Sequence, residues 1–105
     1  MIVVSLAEQL WICRRDGFTL EVPPDGGPSS VEAALAVQRE AVACSGMDRV
    51  GFKVGSTSAE AQKVLGTSEP GASPVLTGFF HESPAEVAID PSHGPAVEGE
   101  FALRL

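Results

Sequence analysis

Three times along this chain a hydroxyl residue stands three positions before a glutamate: Ser5-x-x-Glu8, Ser29-x-x-Glu32 and Thr57-x-x-Glu60. Each is a capping box, in which the hydroxyl accepts a backbone N–H of the first helical turn and the glutamate reaches back to the cap's own N–H. Two donors that a helix start leaves orphaned are thereby satisfied. Each box is followed by a glycine able to take the left-handed conformation that ends a helix: Gly17, Gly46 and Gly66. The paired signals predict helices over about 6–16, 30–45 and 58–65. The second carries Val31, Leu35 and Val42 with Ala34 and Ala41 at helical spacing, and the first carries Leu6, Leu10 and Cys13.

Past Gly46 the period shortens. Val50, Phe52 and Val54 alternate with Gly51, Lys53 and Gly55, the pattern of a short strand. Pro23-Pro24-Asp25-Gly26-Gly27-Pro28 reads as a loop, and residues 67–74 as a second one rich in Pro, Gly and Ser. Val75-Leu76 and Phe79-Phe80 form an extended apolar stretch, and Glu86-Val87-Ala88-Ile89 a short strand. The turn-rich Asp90-Pro91-Ser92-His93-Gly94-Pro95 precedes a last strand from about Ala96 onward. The layout is α+β, helical at first and then β-structure that has barely begun.

The 105 residues suit one small domain with one core. The net charge of −7 is spread evenly, with 4 basic and 7 acidic side chains in residues 1–50 and 3 and 7 in residues 51–105. Without a basic patch to neutralise phosphates, nucleic acid is not an expected partner, and neither is an anionic membrane surface. No apolar run approaches the ~20 residues that cross a bilayer. The opening Met1-Ile2-Val3-Val4-Ser5 has no charged n-region and soon meets Glu8, so no signal peptide is expected. Cys13 and Cys44 form no C-x-x-C motif and read as buried thiols. A cytoplasmic location follows as the expectation.

Chemistry concentrates in two places. Val97-Glu98-Gly99-Glu100-Phe101-Ala102-Leu103 puts two carboxylates one residue apart inside an apolar run. In a strand Glu98, Glu100, Ala102 and Arg104 share one face. At ~7 Å and an effective dielectric of about 20, two such anions repel by on the order of 2 kcal/mol. Something positive between them is therefore expected. A hard divalent cation fits, because Mg²⁺ takes carboxylate oxygens and keeps positions open for water and substrate. A solvated strand face with Arg104 as partial partner fits the same pattern, and spacing alone leaves both readings open. The second place is Lys53, flanked on its strand face by Gly51 and Gly55, where a ligand can approach a bare backbone. A lysine there holds a carboxylate or carries a proton, or is an ordinary exposed strand residue. Gly55-Ser56-Thr57-Ser58 lacks the Gly-Lys-Ser/Thr of a phosphate loop. His81 and His93 read as surface or capping residues.

Several separated blocks agree in order and spacing with one family. They are Gly51-Phe52-Lys53-Val54-Gly55-Ser56-Thr57-Ser58-Ala59-Glu60-Ala61-Gln62, then Leu65-Gly66, Glu69-Pro70 and Val97-Glu98-Gly99-Glu100-Phe101-Ala102, with Ala36-Val37-Gln38 upstream. Over residues 5–105 the chain resembles the N-terminal portion of the 2-keto-4-pentenoate hydratase group, within the fumarylacetoacetate hydrolase superfamily. The resemblance implies that Glu98 and Glu100 bind Mg²⁺ or Mn²⁺ together with a third acid further along, and that Lys53 lines the active site as a catalytic residue. It implies a small-molecule 2-oxo or 2-hydroxy-dienoate substrate, hydrated to a 4-hydroxy-2-oxo acid in aromatic-compound catabolism. It also implies a homo-oligomer for the full-length protein. The expected division is an N-terminal α/β subdomain at 1–82 and, at 83–105, the first strands of a fumarylacetoacetate hydrolase-like β-domain that is truncated here.

Two departures bear on that expectation. Where family hydratases carry a stretch resembling E-P-D-Y-G-x-L-L-D-D-M, this chain has Gly71, Thr77 and Gly78 in place of the aspartates. And the family's catalytic β-fold lies mostly beyond the E-x-E strand. A decarboxylase of 2-oxo-dienedioates or an acylpyruvate hydrolase uses the same metal chelate, and a non-catalytic docking module is the alternative of another class. The chain by itself is expected to bind divalent metal weakly at best and not to turn over substrate.

Overall fold

The computed structural model describes residues 4–105. Met1, Ile2 and Val3, on which part of the reading of a leader rests, lie outside the described residues. Helix α1 spans Leu6–Asp16, helix α2 Val31–Ser45, strand β1 Arg49–Gly55, helix α3 Ala59–Leu65 and strand β2 Gly71–Leu76. Single 3₁₀ turns follow at Thr77–Phe79 and Pro91–His93. Three helices with one two-stranded antiparallel sheet make an α+β arrangement, as expected.

The helices stop where the glycines stand: Gly17, Gly46 and Gly66 all have positive φ, between 65° and 76°. Their starts differ from two of the three boxes. Ser5 caps α1 and accepts the Glu8 N–H, as the spacing predicts. In α2 the cap is Ser30, which accepts the Ala33 N–H at 3.1 Å, and in α3 it is Ser58, which accepts the Ala61 N–H at 3.1 Å. In each case the second of two adjacent hydroxyls takes the cap. The glutamate then falls at the second helical position, where it still meets the positive end of the helix dipole.

Strand β2 begins at Gly71, inside the stretch read as a loop. It pairs with β1 so that Gly51 faces Val75, Phe52 faces Pro74, Lys53 faces Ser73 and Gly55 faces Gly71, with a bulge between Arg49 and Gly51. A two-stranded ribbon has an open edge on each side, and edges are where a proline is tolerated in a sheet. Helix α1 packs on α2, and the Ser5 hydroxyl, besides capping α1, donates to Glu40 Oε1 of α2 at 2.7 Å.

Residues 86–89 and 96–105 are not strands. A strand needs a neighbour for its backbone donors and acceptors, and among the described residues the only ribbon is β1–β2. Residues 77–105 are exposed throughout. Among the described residues only Ala7 and Leu76 are fully buried hydrophobics. Both thiols are free, as a reading without a disulfide expects, but they are not buried: Cys13 is half-buried and Cys44 is exposed on α2.

Candidate active site

Lys53 stands in the middle of β1 with bare backbone on both sides. A methyl group built at Gly51 or Gly55 would meet nothing within 4 Å. Its Nζ lies 3.3 Å from Glu100 Oε1 and 3.8 Å from Glu98 Oε2. The three sequence-derived site residues therefore converge, although Lys53 and Glu100 are 47 positions apart. The positive group between the two carboxylates is Lys53. Arg104, the partner suggested by strand spacing, turns instead to Glu82 at 3.5 Å. The three side chains remain 52–73% exposed, so solvent screens their attraction and the pairing itself adds little stability.

Glu98 and Glu100 supply hard oxygen donors of the kind and number that Mg²⁺ takes from a protein when waters and substrate complete its shell. They fit such an ion in donor chemistry, and both lie within ion-pair distance of one cation, the Lys53 ammonium. Among the described residues no group of three or more His, Cys, Asp or Glu is placed to hold a metal.

Lys53 also lines a cleft of about 400 Å³ formed by α1, α2 and the β1–β2 ribbon. Leu10, Trp11, Val42, Val75, Leu76 and Phe79 give it an apolar wall, and Gln38, Ser73 and Arg14 add polar groups. A largely apolar cavity with few convergent polar groups is the usual form of a small-molecule site. Arg14 lies with its guanidinium carbon 4.4 Å from the centre of the Phe79 ring. Sequence reasoning passed over Arg14, Trp11 and Ser73. Arg14 beside Arg15 in the last turn of α1 looks like ordinary compensation of the helix dipole. Trp11 and Ser73 carry no motif, although the register that sets Ser73 opposite Lys53 would have singled it out.

The two histidines stay apart from this region. His93 sits in the Pro91–His93 turn with Nε2 3.9 Å from Asp90 Oδ2, and His81 is exposed. Helix α3 follows Ser56, the one described non-glycine residue with positive φ, at 54°. Gln62 Nε2 donates to the Ser56 carbonyl at 2.9 Å and fixes that corner. Of the three positions where aspartates are missing, Gly78 has a steric context. A Cβ there would lie 2.7 Å from Met47 Cε and 2.8 Å from its Sδ. An acid at 78 would require the Met47 thioether to swing away.

The chain is 34% identical over 108 aligned residues to the TodF product hydratase of Pseudomonas putida (strain F1), an alignment that takes in 98% of this chain and 40% of that protein. The chain thus spans about 40% of the length of the curated relative it matches. No family model matches the chain. No solved structure matches it. The likeness supports a relationship to a hydratase.

Proposed function

We propose that this chain contributes Lys53, Glu98 and Glu100 to the active site of a divalent-metal-dependent hydratase, a carbon–oxygen lyase of the 2-keto-4-pentenoate hydratase type. In that reaction water adds to a 2-hydroxy-2,4-dienoate and gives a 4-hydroxy-2-oxo acid, in the breakdown of aromatic compounds. The reading is carried by the convergence of Lys53 on both carboxylates beside an apolar cleft, and is supported by the likeness to a TodF product hydratase.

Glu98 and Glu100 would hold Mg²⁺ or Mn²⁺. When bound, the ion supplies Lewis-acid polarisation of the substrate's 2-oxo oxygen and a template for its carboxylate. Lys53 lines the cleft and lies beside both glutamates. Lys53 then binds the substrate's anionic end or carries the proton that moves from the enol oxygen to the terminal carbon as water adds. The apolar wall gives the diene a surface to lie against, and the added water enters from the open side. The assignment extends to a cytoplasmic homo-oligomer in which residues 1–82 form a subdomain and 83–105 lead into the β-domain.

The test is made on the protein that carries this sequence. Glu98→Gln and Glu100→Gln are expected each to abolish metal-dependent hydration of 2-hydroxypenta-2,4-dienoate and to weaken Mn²⁺ binding followed by electron paramagnetic resonance. Turnover and Mn²⁺ affinity equal to the parent's in either variant overturn the reading. A second reaction has one observation in its favour. Gly71, Thr77 and Gly78 stand where hydratases of this type carry acids, and Met47 fills the space beside Gly78. If one of those acids is the base of hydration, the same site serves decarboxylation of a 2-oxo-dienedioate or hydrolysis of an acylpyruvate. Product analysis with each substrate separates the reactions.

A further inference from the structure

Lys53 serves two places at once. Its ammonium pairs with Glu98 and Glu100, at 3.8 Å and 3.3 Å, and its side chain lines the cleft between α1, α2 and the β1–β2 ribbon. Among the described residues neither glutamate makes another salt bridge, and neither does Lys53. The three groups sit on parts of the chain with different support. Lys53 is held in a paired strand, opposite Ser73, whereas Glu98 and Glu100 lie in a stretch without secondary structure. All three side chains are more than half exposed, so each pair is weak and its partners exchange readily.

One ammonium and two carboxylates leave this cluster one negative charge out of balance. A divalent cation alone on the glutamates tips it to one positive charge, and the ammonium repels the newcomer. A carboxylate alone on Lys53 tips it to two negative charges, and the glutamates repel the newcomer. Both together bring the cluster to neutrality, so each ligand offsets the charge that opposes the other. We propose that Lys53 is a coupling residue: it changes partner from the glutamates to a ligand carboxylate, so that a divalent cation and a small carboxylate bind this site cooperatively. The inference rests on the reading of Glu98 and Glu100 as the metal-binding pair and adds a linkage between that pair and the cleft. Such linkage is reciprocal, each ligand tightening the other by the same factor. Between exposed groups that factor belongs at the low end of the ~5–150-fold range of coupled sites.

The test uses the protein that carries this sequence, with Mn²⁺ and hexa-2,4-dienoate as the probes. The dienoate has no 2-oxygen and so cannot chelate the ion as a 2-oxo acid does. Saturating dienoate is expected to tighten Mn²⁺ binding, followed by electron paramagnetic resonance, about fivefold. Mn²⁺ should tighten dienoate binding by the same factor in calorimetry. Lys53→Met should bind Mn²⁺ more tightly than the parent does without dienoate, because the competing ammonium is gone, and dienoate should no longer change that affinity. Lys53→Arg, which keeps the charge, should keep the coupling. Absence of any mutual effect in the parent overturns the proposal, as does weaker Mn²⁺ binding in Lys53→Met, the mark of a lysine that only holds the glutamates in place. Coupling that survives in Lys53→Met comes from direct contact between dienoate and the ion; the metal-binding pair then stands and only the role of Lys53 is lost. If Glu98→Gln and Glu100→Gln leave Mn²⁺ affinity unchanged, the pair itself is refuted and both readings fall.

Discussion

Lys53 lies beside two carboxylates that would otherwise repel each other, and it does so from a position half open to solvent. Exposed pairs of this kind contribute about 0–1 kcal/mol. Lys53→Met is therefore expected to move the urea midpoint by the equivalent of no more than about 1 kcal/mol, while the proposed activity is lost. A large stability loss would show that Lys53 is chiefly structural. Asp90 gives a pH dependence at the same scale. It accepts the Ser92 hydroxyl at 2.6 Å and the Ser92 N–H at 2.9 Å. These bonds, the hydroxyl first, hold its carboxyl below the ordinary aspartate range. A carboxyl whose folded value is depressed gives its full contribution above the unfolded value and loses it as pH falls through the depressed folded value. The Pro91–His93 turn should thus keep its amide protection at pH 5 and lose it in strong acid, below the usual aspartate range, as read by amide exchange at Ser92. In Asp90→Asn that pH dependence should vanish. The sequence singled out Lys53, Glu98 and Glu100 one by one from their spacing and neighbours. It did not show that Lys53 is the cation between the glutamates, because that contact closes over more than forty residues. The periodicity of a strand pointed to Arg104 instead.

At the scale of elements, the glycine stops were legible because positive φ is a property of the residue itself, and all three helices end where they stand. The starts were legible only to within a residue. Ser29 and Ser30, and likewise Thr57 and Ser58, offer the same chemistry in adjacent places, and the competition is decided by which backbone N–H lies in reach. Ser30→Ala is therefore expected to cost about 1 kcal/mol and Ser29→Ala nearly nothing, measured by thermal unfolding followed by helical circular dichroism. Equal costs would mean that the two hydroxyls share the cap. Strand β2 was half legible. Gly71, Ser73 and Pro74 read as loop residues, and they become a strand because β1 offers them a partner. For 86–89 and 96–105 the error ran the other way. Alternation of apolar and polar residues is a preference for a half-buried pleated surface, and no such surface is within the described residues to receive them.

For the whole molecule the consequence is a shortage of core. The radius of gyration is 15.3 Å, against about 13 Å for a compact domain near this size. Val97, Phe101, Leu103 and Leu105 are each at least 90% exposed. Burying one such side chain contributes roughly 1.5–3 kcal/mol. Four of them forgo on the order of 6–12 kcal/mol, as much as the entire stability of many domains, about 5–15 kcal/mol. Phe18, Val22, Val64 and Ile89 are exposed as well. The 105-residue chain on its own should therefore unfold over a broad range of urea, bind the dye ANS while still helical, and self-associate at micromolar concentration. The strip at 97–105 is the place to test, because its apolar side chains lie on a segment without ladder partners and are free to pair with another chain. Replacing Val97, Phe101 and Leu103 together by Ser should leave the helical signal unchanged, since no helix touches that stretch in sequence, and should lower ANS binding and association in sedimentation velocity. If association persists in the triple variant, the sticky surface lies on the helices. If the parent chain is monomeric and unfolds sharply, the apolar strip is tolerated in water and the argument from missing core fails.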